Sequence, residues 1–296
     1  MVRIALDPTP YHSEYGLLDF PDVAARLGYE YLQITPHADF TPFFRHPKAD
    51  DGLVAKLRKR AADAGVVIPA LLPVQRLSWP DEAQRAVAVR NFRRIIQIAV
   101  DLGVDTINTE FSGRPERQED SEASFYTTME ELLPILEHEG IRLNIDPHPD
   151  DFVEDGLEAL RVIRGLNTPN VGFVYVAPHT FHMGNQGRDL LQEVGAEHLG
   201  AVYASDTFDH HRSHGLRYIT NPPGNAVRVH QHLRIGDGDV DWPELFGALR
   251  EIGYFDRSDA LIVSNVFAED ERADEVSRFQ LERIRELISS SSSPHV

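Results

Sequence analysis

The feature that most constrains this chain is an alternation repeated eight times: a short run rich in β-branched residues, then a longer amphipathic run. The short runs lie at residues 2–6, 31–34, 66–72, 106–108, 142–145, 172–176, 201–204 and 261–266. The longer ones cover 19–27, 50–64, 81–102, 122–139, 155–166, 187–194, 242–252 and 269–288. Alternation of this kind marks parallel βα units, because two neighbouring parallel strands must be joined by a crossover. Within 81–102, Val89, Phe92, Ile95, Ile96 and Ala99 fall on one face while Arg90, Arg93 and Arg94 lie off it, the pattern of a helix laid on a core. Several helical runs stop at a glycine that leads into the next strand, as in "RLGYEYLQI", "DAGVVIPAL", "DLGVDTINT" and "HEGIRLNI". Glycine takes the left-handed conformation that ends a helix, so these are αβ corners. Eight units with no Gly-x-Gly-x-x-Gly after the first strand favour a closed (β/α)8 TIM barrel over an open doubly wound sheet. We expect residues 1–288 to form that single α/β barrel and the polar residues 289–296 to be a disordered tail.

Composition removes several function classes. No apolar run reaches the ~18 residues of a membrane span, and "MVRIALDP" enters a strand-like pattern without a basic and then apolar leader, so a cytoplasmic protein is expected. The chain has no cysteine, which excludes disulfides, thiolate nucleophiles and zinc–thiolate sites, leaving only oxygen and imidazole as metal ligands. A formal net charge of -18 disfavours nucleic acid and anionic membrane as partners. A small neutral or cationic ligand, or a metal complex, is expected instead.

In a parallel barrel the functional residues sit at the C-terminal ends of strands and in the loops that follow. Those positions hold Glu110 in "INTEF", Asp146 and His148 in "NIDPHPDD", His179 and His182 in "APHTFH", and Asp206 in "ASDTF"; His12 and His37 follow the first two strands. Capping or solvent exposure accounts for Asp150, Asp151, His210 and His211. Acidic and imidazole side chains recurring at consecutive strand ends form a candidate site. A connection about twenty residues longer than an ordinary βα loop follows the seventh strand, at residues 207–232. It carries a rigid "NPPGN" turn, Arg217, Tyr218, His230 and His232, with His232 expected to face the pocket.

These motifs resemble those of the xylose isomerase-like barrel superfamily, which includes sugar isomerases, sugar 3-epimerases and inosose-processing enzymes. "DPHPDD" resembles its fifth-strand acidic element, "HTFHM" its sixth-strand Asp-Thr-x-His, "AVYASD" its seventh-strand His-x-x-Asp, and "RIGDGDVDWPELFGALREIGY" its Gly-x-Gly turn. The resemblance implies four metal corners, occupied here by Asp146, His179, Tyr203 and Asn265. Asp146 and His179 are ordinary ligands for one divalent ion, Mn²⁺ or Zn²⁺, while neutral Tyr203 and Asn265 are weak ones, so the family metal site is only partly retained. The strand-end residues Glu110 and Asp146, with His182, are the candidate catalytic groups, and His148, Asp206, Arg217 and His232 the candidate substrate-binding groups; the resemblance itself places His182 at the family's substrate-binding His.

The implied reaction is isomerisation or epimerisation of a sugar or cyclitol by proton abstraction next to a carbonyl, with the resulting enediolate stabilised by a cation or imidazole. With no glycine cradle at a helix N-terminus, an unphosphorylated substrate is expected. The same chemistry serves a 3-oxo-glycoside lyase or hydratase, including C-deglycosylase-type C–O or C–C cleavage, and the altered corners also suit a non-catalytic barrel subunit. A homo-oligomer or partner subunit would engage the 207–232 loop.

Overall fold

The computed structural model describes residues 2–181, 187–208, 218–220, 229–230, 232–267 and 272–290. In chain order the elements are β1 (Arg3–Leu6), α1 (Phe20–Leu27), β2 (Tyr31–Leu32), α2 (Asp51–Asp63), α3 (Glu82–Leu102), β3 (Thr106–Glu110), α4 (Gln118–Glu139), β4 (Arg142–Asp146), α5 (Gly156–Arg164) and β5 (Val171–Val176). They continue with α6 (Ala177–Thr180), α7 (Gly187–His198), β6 (Leu199–Tyr203), β7 (Tyr218–Thr220), β8 (Val229–His230), α8 (Trp242–Glu251), β9 (Leu261–Ser264) and α9 (Ala273–Ser290).

Seven strands form one parallel sheet in the order β2-β1-β9-β6-β5-β4-β3. Residues 66–72, expected as a strand, close the gap between its two edges by isolated bridges. Val67 pairs with Tyr31, and Leu71 pairs with both Ile34 and Ile107. Leu71 N–H donates to Thr106 at 3.1 Å, and Asn108 N–H donates to Leu71 at 2.8 Å. Pro69 has no N–H to give, so the segment joins the ring without becoming a continuous ladder. The sheet is thus a closed eight-membered barrel, as the alternation predicts.

Side-chain parity explains the two cores. Ile4 and Leu6 belong to the large cluster packed under the helices, whereas Ala5 points the other way, into a small interior cluster with Ala70, Val174, Val176, Ala201, Tyr203, Leu261 and Val263. Asp50, Asp81, Asp155 and Asp241 cap α2, α3, α5 and α8 by accepting backbone N–H bonds. Gly28, Gly103 and Gly140 end α1, α3 and α4 at φ of 89°, 75° and 67°. Inside the barrel, glycine is required for a different reason: a Cβ on Gly200 would lie 2.0 Å from the Asn144 amide. Helix α9 runs to Ser290, so residues 289 and 290 are helical rather than part of a tail, and 291–296 lie outside the described residues. The long 207–232 connection contributes β7 and β8, which pair antiparallel.

Candidate active site

The polar cluster is built at the C-terminal ends of β3, β4 and β5. Glu110 and Asp146 end β3 and β4 as register partners, which places the two carboxyl groups side by side rather than across a ligand from one another. Val176 hands the chain to the one-turn helix α6, whose Pro178 fixes the turn that presents His179. His179 Nδ1 lies 2.7 Å from Asp146 Oδ2, and both residues are buried. Burial first, then the negative charges of Glu110 and Asp151, hold the Asp146 carboxyl well above the usual carboxylate range. A second carboxyl–imidazole pair lies alongside: His148 Nε2 is 3.7 Å from Glu110 Oε1. His148 Nδ1 is 2.8 Å from the Pro149 carbonyl, and a carbonyl can only accept, so the ring carries its proton on Nδ1. The His148 and His179 rings meet edge to face with centroids 4.6 Å apart.

His232 completes an imidazole row, its centroid 5.5 Å from that of His179 and 4.4 Å from Phe267. Its Nδ1 approaches the Asn265 carbonyl at 3.2 Å and Ser205 Oγ at 3.1 Å. Burial pulls its pKa down to about 4, against the opposing pull of the Asn265 hydrogen bonds, so the ring is neutral at pH 7. On the far side Asp7, just beyond β1, accepts from Thr9 N–H at 2.9 Å, Thr9 Oγ1 at 2.6 Å and Asn265 Nδ2 at 2.6 Å. Its carboxyl is also raised by burial. Sequence reading passed over Asp7 in favour of His12, although an acidic residue directly after the first strand is the same signal that marked Asp146. It also passed over Gln33, a buried amide in the otherwise apolar "YLQI".

Other sequence expectations meet a different fate. Asp206 was expected to bind substrate, but both its oxygens hold its own loop. Oδ1 accepts from Thr207 and Val240 N–H, and Oδ2 from Gly236 N–H and Trp242 Nε1. The carboxylate is thereby the fastener of the 235–242 turn, and Gly238 leaves room for it. Asp151 does not cap the following helix, a position held by Asp155; it accepts from Ser112, Gly113 and Phe152 N–H and ties the β3 loop to the β4 loop. His12 and His37 pack on one another and on Phe20, with His12 made less basic, to about 4, by burial. His182, Arg217, His210 and His211 lie outside the described residues.

A divalent ion at Asp146 and His179 would need further charged or imidazole ligands, and among the described residues no three His, Asp or Glu side chains are arranged to hold one. The other two expected corners are turned to different work: Tyr203 Oη donates to Gln33 Oε1 at 2.9 Å, and Asn265 Nδ2 donates to Asp7. The described residues therefore do not fit the expected metal, and Asp146 and His179 are partners of each other.

The sequence matches the family described as xylose isomerase-like TIM barrel over residues 21–287. The chain belongs to that family. Among curated relatives it is 26% identical over 141 residues to an inosose isomerase of Bacillus licheniformis, a stretch covering 47% of this chain and 46% of that protein. The chain spans less than half the length of the curated relatives it matches. Among solved structures it superposes on D-psicose 3-epimerase with D-tagatose from Clostridium cellulolyticum at a TM-score of 0.75 and 14% identity, covering 97% of this chain and 99% of that one. It matches the IolI protein with a binding zinc atom at a TM-score of 0.74 and 19% identity, covering 99% and 100%. At such identities the structural likeness is one of fold. No helix among the described residues is long and apolar enough to cross a membrane.

Proposed function

We propose that the chain is an isomerase or epimerase of an unphosphorylated sugar or cyclitol, working by proton transfer at the carbon next to a carbonyl. The observation that carries the reading is the two adjacent carboxyl–imidazole pairs, Asp146–His179 at 2.7 Å and Glu110–His148 at 3.7 Å, at the mouth of the barrel. Such chemistry needs a base to take a proton from carbon and an acid to return it, each with a pKa moved toward neutrality. The buried Asp146, its carboxyl raised, has that character, with the His179 imidazole 2.7 Å away. In the reaction the Asp146–His179 pair takes the proton, the C–H electrons form the enediolate, and Glu110–His148, standing alongside, returns a proton to the neighbouring carbon. His232, neutral at pH 7, lies beside His179 and adds a further imidazole to the site. The inosose isomerase and D-psicose 3-epimerase relatives support the substrate class. The carboxylates around the site repel a phosphate dianion, which supports an unphosphorylated ligand.

The test is incubation with a panel of free ketoses and ketocyclitols in D₂O. Deuterium should enter at the carbon next to the carbonyl, and Asp146→Asn should abolish both exchange and turnover. Release of an aglycone from 3-oxo-glycosides, with no interconversion of free sugars, would replace this reading with the lyase. His182→Gln, included in the same panel, reads whether that residue takes part.

A further inference from the structure

One donor under the site is left over by the logic of the barrel interior. Arg142, at the start of β4, has a guanidinium that can only donate, and its Nε reaches Asn144 Oδ1 at 3.0 Å. Asn144 must therefore turn its Nδ2 outward, to Asn108 Oδ1 at 2.9 Å, and Asn108 must turn its Nδ2 to Gln33 Oε1, also at 2.9 Å. Tyr203 Oη donates to the same Gln33 oxygen. The polarity of the ladder is thus set at Arg142 and ends at Gln33, whose Nε2 is buried with no hydrogen-bond partner. An amide N–H₂ left unpaired in a protein interior is costly and calls for an explanation.

Its position supplies one. Gln33 lies one residue past the Leu6–Leu32 register pair, beside Asp7, and its N–H donates to Leu6. Tyr203, bonded to the Gln33 oxygen, is close enough to Asp146 and Asp7 for their charges to raise its hydroxyl pKa after burial has done so. The ladder therefore ends on the floor of the site. Gln33 is fully buried, deeper than Asp146 and His179 at 3% and 6% exposed, so a ligand meets its amide only at the base of that pair. Around that floor Asp7, Asp146 and Glu110 are acceptors, while the donors of Tyr203, Asn108 and Asn265 already have partners within the protein. Substrate hydroxyls can donate to those carboxyl groups. A ketone oxygen, and the enediolate oxygen it becomes, can only accept.

We infer that Gln33 Nε2 hydrogen-bonds the carbonyl oxygen of the bound ketose or ketocyclitol and stabilises the enediolate as it forms. This assignment rests on the proposed isomerase reading. Its test is Gln33→Glu, which keeps the oxygen that Tyr203 and Asn108 need and replaces only the donor. Measured above the pH at which the new carboxyl ionises, exchange of the α-proton in D₂O should fall ~10²–10³-fold, the usual effect of losing one oxyanion donor, while the thermal midpoint drops because a further buried carboxyl joins Asp7 and Asp146. Calorimetry with D-fructose, D-tagatose and an inosose against the matching polyols should show affinity lost for the ketones and retained for the polyols. Asn108→Asp is the second variant. Its carboxylate accepts from both neighbours, turns the Gln33 amide over and draws the donor into the ladder, so it should lower exchange in the same direction without touching residue 33. Full exchange in both variants, or equal loss of ketone and polyol binding, overturns the assignment while leaving the isomerase reading intact. A wild-type protein that neither binds nor exchanges any of these ligands overturns both.

Discussion

A single imidazole shows how burial is converted into pH dependence. His232 titrates near 6.5 when unfolded and about 4 when folded, chiefly because its ring is desolvated. Between those values the unfolded chain binds a proton that the native one refuses, so the stability tied to this group is intact above pH 6.5 and is lost as pH falls toward 4. At about 1.4 kcal/mol per pKa unit, the loss is on the order of 3 kcal/mol at most. Urea unfolding of wild type and His232→Gln across that window should show the difference between them shrinking as pH falls. A difference that stays flat would mean His232 is not held neutral by the fold. Glu110 is tested by rate instead. If it returns the proton, Glu110→Gln lowers turnover ~10²–10⁴-fold with little change in stability, whereas a structural Glu110 lowers stability and spares turnover.

At the level of the element, close approach and left-handed backbone make glycine necessary in different ways. Gly200 lies in β6 facing Asn144, which is fully buried and held between Arg142 and Asn108, so it has nowhere to move. Gly200→Ala should cost ~1–3 kcal/mol by overpacking. Gly103→Ala meets nothing within 4 Å and should cost only the ~1–2 kcal/mol of a left-handed alanine. Denaturation midpoints check both, and a Gly200→Ala protein as stable as wild type would mean the amide ladder is loose. The helix-ending glycines and the strand–helix alternation were legible because they are local: each depends on a period or a conformation of a few neighbouring residues. Glu110, Asp146, His148 and His179 were legible for the same reason, as polar residues at strand ends. The rest was not, because it depends on partners far away in sequence. Nothing near Gln33 announces Tyr203, 170 residues on, and nothing in "ASDTF" reveals that Asp206 holds the turn before α8. Pro69 was visible in "VVIPALL", but its consequence, a bridged seam in place of a strand, follows only once both edges of the sheet are present.

The whole molecule bears on the metal question through its charge. With 47 acidic and 29 basic residues, it gathers divalent cations loosely over its surface whether or not a site exists. Metal found in a low-salt preparation therefore says little, and the measurement must separate this atmosphere from a stoichiometric ligand shell. Raising the salt screens the diffuse ions within about 8 Å or less, while a coordinated ion is held by its ligands and leaves only to a chelator. The described residues place Tyr203 and Asn265 on Gln33 and Asp7, and set Asp146 against His179, which leaves no shell of three charged or imidazole ligands among them. After chelation and exchange into about 0.2 M salt, a regime where the screening length is short, the protein should carry far less than one equivalent of metal and retain its α-proton exchange. If exchange is lost on chelation and returns with one equivalent of Mn²⁺ or Zn²⁺, the Asp146–His179 pair must open to bind an ion. Activity would then depend on ligands from outside the described residues, with His182 the first to replace.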